Sequence, residues 1–245
     1  MNEDMQIAHL SQIQTQWSMI LQAHQGPSEE ADAALDALIR RYGGAVHRYL
    51  LRVTKNPETA ADLSQEFALR FVRGDFRRAD PRLGRFRSFV KTTVLHLVID
   101  HHRRNRNRPL SLIDDAPEPA SSAPDLLELD RRFTECWREE LLDRAWAELE
   151  RSERETGRPF HTVLRLRADR PELRSPEMAL MLSATLNKAI DAGWVRQNLH
   201  RARERFVELI LNEVAASLGS DDANCVDEEL IDLGLWDYCR SNRKK

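Results

Sequence analysis

LGRFRSFVKTTVLHLVIDHHRRNRNR, residues 83–108, is the stretch whose reading decides the fold. Gly84 opens it in a short turn after Asp80-Pro81. Phe86, Phe89, Val90, Val94, Leu97 and Val98 then recur at steps of three and four. That spacing lays a single apolar stripe along a helix. Around the stripe stand Arg85, Arg87, Lys91, Arg103, Arg104, Arg106 and Arg108, with Asp100 as the only acid. One side of such a helix packs into a core while the rest faces something negative. A polyanion fits, because Lys and Arg set against phosphates release condensed counterions. The plainer alternative is a solvated basic face with no partner.

Outward from this stretch, the chain reads as helical throughout. It has 245 residues, 41% hydrophobic and 31% charged, with 9 Gly and 10 Pro. Domains run ~100–200 residues, so one or two are expected, each able to bury a core. Few glycines and many Leu, Ala, Arg and Glu argue for helices over a turn-rich β protein. The net charge of −3 hides an uneven distribution. Asp114, Asp115, Glu118, Asp125, Glu128 and Asp130 stand between Pro109 and Asp130 with no base among them, and Asp221 to Asp237 is acidic too. Cys136, Cys225 and Cys239 form no CxxC pair, so neither a zinc ribbon nor a disulfide framework is indicated. No apolar run approaches the about 18 residues of a membrane span, and the first residues lack a secretion-signal core. The expectation is a soluble, cytoplasmic protein with no membrane insertion.

Before the basic stretch, Ser11 to Leu21 reads as a short amphipathic helix carrying Ile13, Trp17 and Ile20. Ser28 to Val53 reads as a longer one with Leu35, Leu38, Ile39, Tyr42, Val46, Tyr49, Leu50 and Val53 inward. Gly43-Gly44 sits at its middle, where close packing is expected. Asn56-Pro57-Glu58 is a helix start, with an N-cap, Pro at the first position and an acid in the first turn. That helix should stop at Gly74, with Ala60, Leu63, Phe67 and Phe71 inward. Asp62, Gln65, Glu66 and Leu69 share another face, at i, i+3, i+4 and i+7, a solvated stripe or a docking surface.

After it, Pro109 to Pro124 carries four prolines among its acids and reads as a flexible linker. Leu126 to Glu155 reads as a long helix with Phe133, Trp137, Leu141, Ala145 and Leu149 inside, and Phe160 to Ala168 as a shorter one. Trp17, Trp137 and Trp146 read as core. Ser175-Pro176-Glu177 repeats the helix-start chemistry before Met178, Leu182 and Leu186. Asp191 is the expected N-cap of a last long helix, with Val195, Leu199, Ala202 and Phe206 inward. Trp194, Arg196, Gln197, Asn198, His200, Arg201 and Arg203 then lie outside or at its margins. Two helices joined by a turn of about four residues, the second basic near its start, match a helix-turn-helix. A short helix follows near the C-terminus, burying Leu230, Leu233 and Trp236.

Asp100-His101-His102 matches the triplet that holds divalent metals in some phosphoesterases. Such sites need further ligands on strand ends. Here the triplet ends a basic helix with arginines around it, so no metal site and no cofactor is expected. No GxxxxGK[ST], GxSxG or HExxH occurs, and no catalytic constellation emerges: the protein does not read as an enzyme.

Together these stretches resemble a bacterial RNA polymerase sigma factor of the two-domain extracytoplasmic-function type, in a larger-chain subgroup with N- and C-terminal extensions. LIRRYGGAVHRYLLRVTKNPETAADLSQEFALRFV is similar to the family's first segments, with D-L-x-Q-E at Asp62, Leu63, Gln65 and Glu66. DPRLGRFRSFVKTTVLHLVIDHHRR resembles the promoter-melting helix, with G-x-F-R-S-[WF] at its opening and D-x-x-R-R at its close. WVRQNLHRARERFVELI is similar to the recognition helix. The resemblance covers about residues 11–214. The run between Leu182 and Val195 is longer than the family's usual form.

The resemblance implies an all-α fold of two helical domains joined by an acidic linker. Residues 1–27 would be an N-terminal extension, 28–108 a region 2-like domain and 109–125 the linker. Residues 126–218 would form a region 4-like helix-turn-helix domain and 219–245 an acidic C-terminal extension. It also implies roles. Asp62, Gln65, Glu66 and Leu69 would dock on the core polymerase. Arg82, Arg85, Arg87, Ser88, Lys91, Arg103 and Arg104 would hold the −10 DNA strand. Trp194, Arg196, Gln197, Asn198, His200, Arg201 and Arg203 would face the −35 groove, with Arg203 on phosphate or solvent. Core RNA polymerase and promoter DNA are the implied partners, with an anti-sigma factor a further candidate. The alternatives are a helix-turn-helix regulator that does not recruit polymerase and, less favoured, a phosphoesterase using Asp100, His101 and His102.

Overall fold

The computed structural model describes residues 29–73, 86–106, 126–218 and 222–243. Every element among these residues is an α-helix. They are α1 (Glu29–Thr54), α2 (Pro57–Arg73), α3 (Phe86–Arg106), α4 (Leu126–Thr156), α5 (Phe160–Asp169), α6 (Ser175–Leu186), α7 (Ala192–Leu218), α8 (Ala223–Asp232) and α9 (Trp236–Arg243). The expected helix over 11–21, Trp17, the stop at Gly74 and the linker over 109–125 lie outside the described residues.

Local chemistry sets the boundaries. Lys55 takes φ +53°, which turns the chain out of α1. Asn56 Oδ1 then accepts the Thr59 amide at 3.0 Å, closing the first turn of α2 as the Asn-Pro-Glu sequence predicts. Gly157, at φ +68°, ends α4, and its amide caps Glu153 O at 2.8 Å. α6 begins where the Glu177 carboxylate accepts the Arg174 amide at 2.6 Å.

The contacts divide the chain into two compact units. The first takes in the described residues up to Glu140 together with Ser217 and Leu218. Its core is Tyr42, Val46, Tyr49 and Leu50 from α1, Ala60, Leu63 and Phe67 from α2, and Phe86, Val90, Val94, Leu97 and Val98 from α3. The apolar stripe of residues 86–98 is thus the buried side of α3, apart from the half-buried Phe89. Leu129, Phe133, Cys136 and Trp137 of α4 complete this core. Trp137 stacks on Tyr42 (centroids 5.0 Å, planes at 20°), Tyr42 meets the edge of Phe86 at 4.8 Å, and Tyr49 meets Phe133 at 5.4 Å. The Tyr42 hydroxyl donates to Ser217 O at 3.2 Å.

Ion pairs fasten α1 to α4 beside these rings. Arg52 reaches Glu139 at 2.6 Å, and Arg48 reaches Glu139 and Glu140, each at 3.4 Å. The Arg52 hydrogen bond holds the Glu139 carboxyl below the ordinary glutamate range. The Gly43-Gly44 pair resolves into one packing position. A Cβ on Gly44 would fall well inside van der Waals contact of the Glu140 carboxylate, whereas Gly43 faces only Ile39 at 3.8 Å. Gly44 is exposed and that carboxylate is the end of a flexible side chain, so the carboxylate can move aside.

The second unit takes in the described residues 141–216 and 222–243. Leu141, Ala145 and Leu149 pack with Val163, Leu164, Met178, Leu182, Val195, Leu199, Ala202, Phe206 and Ile210. Trp146, expected as core, is half-buried, against Phe206 at 4.5 Å and the edge of His161 at 5.8 Å, with the Arg165 guanidinium 5.5 Å over its ring. The C-terminal tail is two helices, not the one expected. Gly234, at φ +65°, breaks it, and the Leu235 amide returns to Leu230 O at 2.8 Å. The reason is the left-handed turn that glycine alone adopts without strain. Leu230 and Leu233 are buried as expected; Trp236 is half-buried, and Cys239 fills the core position beyond the break.

Candidate functional site

Three helical faces carry the residues singled out by the sequence. On α2, Asp62, Gln65 and Leu69 are exposed and Glu66 is half-buried, bonded to Arg70 at 2.9 Å within the same helix. Their i, i+3, i+4 and i+7 spacing sets them in one row. Leu69 is 45% exposed, a large apolar side chain left in water between acids and amides. An acidic row ending in an uncovered leucine has the composition of a small docking patch: an apolar contact for area and charges for orientation.

On α3, Arg87 is half-buried, Ser88 exposed and Lys91 half-buried, with the Lys91 ammonium paired to Asp130 on α4. Arg103 and Arg104 are exposed at the far end of the helix. From Ser88 to Arg103 is about 22 Å along the axis, at 1.5 Å per residue. The structure therefore does not gather the basic residues at one point; it strings them along a track. Arg82 and Arg85 lie outside the described residues. Between the two ends, Asp100 and His101 are half-buried and His102 is exposed. Burial, and then the neighbouring His102 and Arg104, make His101 harder to protonate than an ordinary histidine. No cluster of three or more His, Cys, Asp or Glu that would hold a metal occurs among the described residues.

On α7, Arg196, Gln197, His200, Arg201 and Arg203 are exposed and Trp194 is half-buried. Arg196, His200 and Arg203 form one row, and Gln197 and Arg201 the row beside it. Asn198 is different. It is buried, 8% exposed, and its Nδ2 donates to Trp194 O at 2.9 Å, so it belongs to the helix rather than to its outer face. The preceding turn is built to hold α7 at a fixed start. Asn187 takes φ +48°, Ser183 Oγ accepts the Ile190 amide at 3.1 Å, and Asp191 Oδ1 accepts the Trp194 amide at 2.6 Å. Gly193 leaves room for that cap: a Cβ there would come within 3.2 Å of Asp191 Oδ1. Asp191→Ala is expected to cost about 1 kcal/mol of stability and to lower the unfolding midpoint by about 2–4 °C in a thermal melt, as loss of an N-cap does.

The sequence reading did not find the Lys91–Asp130 pair or the contribution of Trp137 to the first unit. Both join segments remote in sequence, which periodicity does not register.

Residues 38–108 match the family model for sigma-70 region 2. The matched segment runs from within α1 to just past the end of α3, and it holds both the α2 row and the α3 track. The match extends over less than a third of the chain, and what it shows is that this segment is similar to sigma-70 region 2. No curated protein and no solved structure matches the chain.

Proposed function

We propose that this chain is a sigma factor of the extracytoplasmic-function type. It docks on core RNA polymerase through Asp62, Gln65, Glu66 and Leu69. It holds the −10 strand with Arg82, Arg85, Arg87, Ser88, Lys91, Arg103 and Arg104, and reads the −35 duplex with α7. The observation that carries this reading is the sigma-70 region 2 match over 38–108, together with the exposed α2 row inside it.

On this reading residues 28–108 are the region 2-like domain and 126–218 the region 4-like domain, with extensions at 1–27 and 219–245. Arg196, Gln197 and His200 supply the side chains that read base edges in a major groove, with Trp194 and Arg201 beside them and Arg203 on the backbone. Asn198 anchors the helix from within. Melting costs on the order of 1–2 kcal/mol per base-pair step, and capture of the exposed strand along the basic track offsets it without ATP. The acids of the 109–125 linker pass near the active-site channel, where they stand in for nucleic acid. No described helix is long and apolar enough to cross a membrane, in keeping with work in the cytoplasm, where an anti-sigma factor would be the natural antagonist of the same faces.

The test is in vitro transcription with core enzyme and a library of promoter fragments. The folded chain is expected to direct initiation from a subset of the library, and a folded chain that directs none would overturn the proposal. A regulator that binds DNA without polymerase would instead leave the α2 row idle and fail to comigrate with core enzyme.

A further inference from the structure

A cleft of about 400 Å³ opens in the second unit beside α7, walled by Arg158, Pro159, Phe160, Asn198 and Arg201. Arg158 and Pro159 come from the connection between α4 and α5, Phe160 begins α5, and Asn198 and Arg201 stand one turn apart on α7. We infer that this cleft seats one backbone phosphate of the duplex that α7 reads, with Arg158 and Arg201 gripping it from two sides; the inference rests on the sigma-factor reading.

Charge pairing is uneven in this unit. Arg151, Arg154, Arg165 and Arg205 are each paired with a carboxylate on their own helix: Glu148, Glu150, Asp169 and Glu208. Arg158 and Arg201 are both exposed, and neither guanidinium has a carboxylate or other hydrogen-bond partner among the described residues. Two unneutralised guanidinium groups facing one cleft attract an anion, and their planar forks match phosphate oxygens two at a time. The N-terminus of α5 is not the source of the attraction, because Glu153 already accepts the Thr162 amide at 2.9 Å there.

The rest of the lining says which phosphate compound fits. Pro159 and Phe160 give an apolar wall against which a deoxyribose can lie. Asn198, the one buried polar group, donates its Nδ2 to Trp194 O, which leaves the two guanidinium groups as the charged donors of the cleft. The cleft therefore suits a phosphodiester met at any sequence. Its place beside Gln197 and Arg201 puts that phosphate at the edge of the groove α7 would enter. A contact of this kind fixes register and leaves base choice to the groove-facing row. Arg158 is a residue that no helical pattern in the sequence singles out, since it lies in a connection.

The test compares wild type, Arg158→Gln and Arg158→Lys as full chains assembled with core polymerase on duplex DNA across a salt series. The Gln variant is expected to lose about fivefold in affinity near 0.15 M salt, equally on all sequences. The slope of log K against log salt should become shallower by about 0.9, the value for one phosphate contact, and the Lys variant should restore it. An unchanged slope in the Gln variant would overturn the cleft while leaving the sigma-factor reading intact. Binding of no duplex by any variant would overturn it as well, and comigration with polymerase in the same samples judges the wider reading separately. Inorganic phosphate at matched ionic strength is expected to compete no better than chloride. Displacement of DNA from wild type but not from the Gln variant would make the cleft a free-anion site and overturn the backbone assignment.

Discussion

Asp62→Lys combined with Glu66→Lys is expected to reduce association with core RNA polymerase by about a hundredfold or more, on the order of 3 kcal/mol, measured by comigration or by fluorescence titration. The size follows from sign. On the proposed docking the acidic row meets a complementary surface, reversal makes it repel that surface, and like charges brought together at an interface cost several kcal/mol. The fold should tolerate the change. Asp62 is exposed, and Glu66 loses only its pair with Arg70 on the same helix, an interaction worth about 0.3–0.5 kcal/mol. The thermal midpoint should therefore move by no more than a few degrees while binding collapses. Asp62→Asn with Glu66→Gln, which removes charge without reversing it, should fall between. Undiminished association of the double Lys variant would remove α2 from the polymerase contact.

The largest effect on stability is expected at Trp137. Trp137→Ala should destabilise the first unit by about 3–5 kcal/mol, read as a shift of the urea midpoint monitored by circular dichroism. Trp137 is 1% exposed and stacked on Tyr42, which in turn holds Phe86. Truncation leaves a cavity at the meeting point of α1, α3 and α4, and rigid rings around it cannot collapse to fill it. A second measurement separates this from a local effect. The fragment 28–140 should unfold at a clearly higher urea concentration than the fragment 28–108, which lacks Leu129, Phe133, Cys136 and Trp137 altogether. Equal midpoints for the two fragments would mean that α4 adds nothing to that core.

The helices themselves were legible because each writes its period into consecutive residues. The stripe from Phe86 to Val98, the Asn56 and Asp191 caps and the inward series Val195, Leu199, Ala202 and Phe206 all stand where spacing put them. Phe89 lies at the margin of its stripe and ends half-buried, a matter of a fraction of a turn that a step pattern does not resolve. Asn198 was grouped with the outer face because it sits between polar neighbours. It is drawn inward by a bond to the helix's own carbonyl, which composition does not announce. The tail's break was written in Gly234, but a single glycine in a short apolar run reads equally well as a weak spot within one helix. The association of residues 126–140 with the first unit had no signal at all, because Phe133 and Trp137 repeat at helical spacing whichever core receives them. The exposed rows on α2 and α7 were likewise legible as rows; their partners were reached through resemblance, not through spacing.

The hydrogen bond from Tyr42 to Ser217 carries a consequence for synthesis. The acceptor lies 175 residues downstream of the donor, and Ser217 and Leu218 belong to the first unit. A ribosome delivers the chain from its N-terminus at about 5–20 residues per second. Many seconds therefore separate emergence of the tyrosine from emergence of the carbonyl that accepts its hydrogen bond. The Tyr42 hydroxyl of the first unit gains its acceptor only after synthesis has passed Ser217, and a chain cut before that residue would leave the hydroxyl without it.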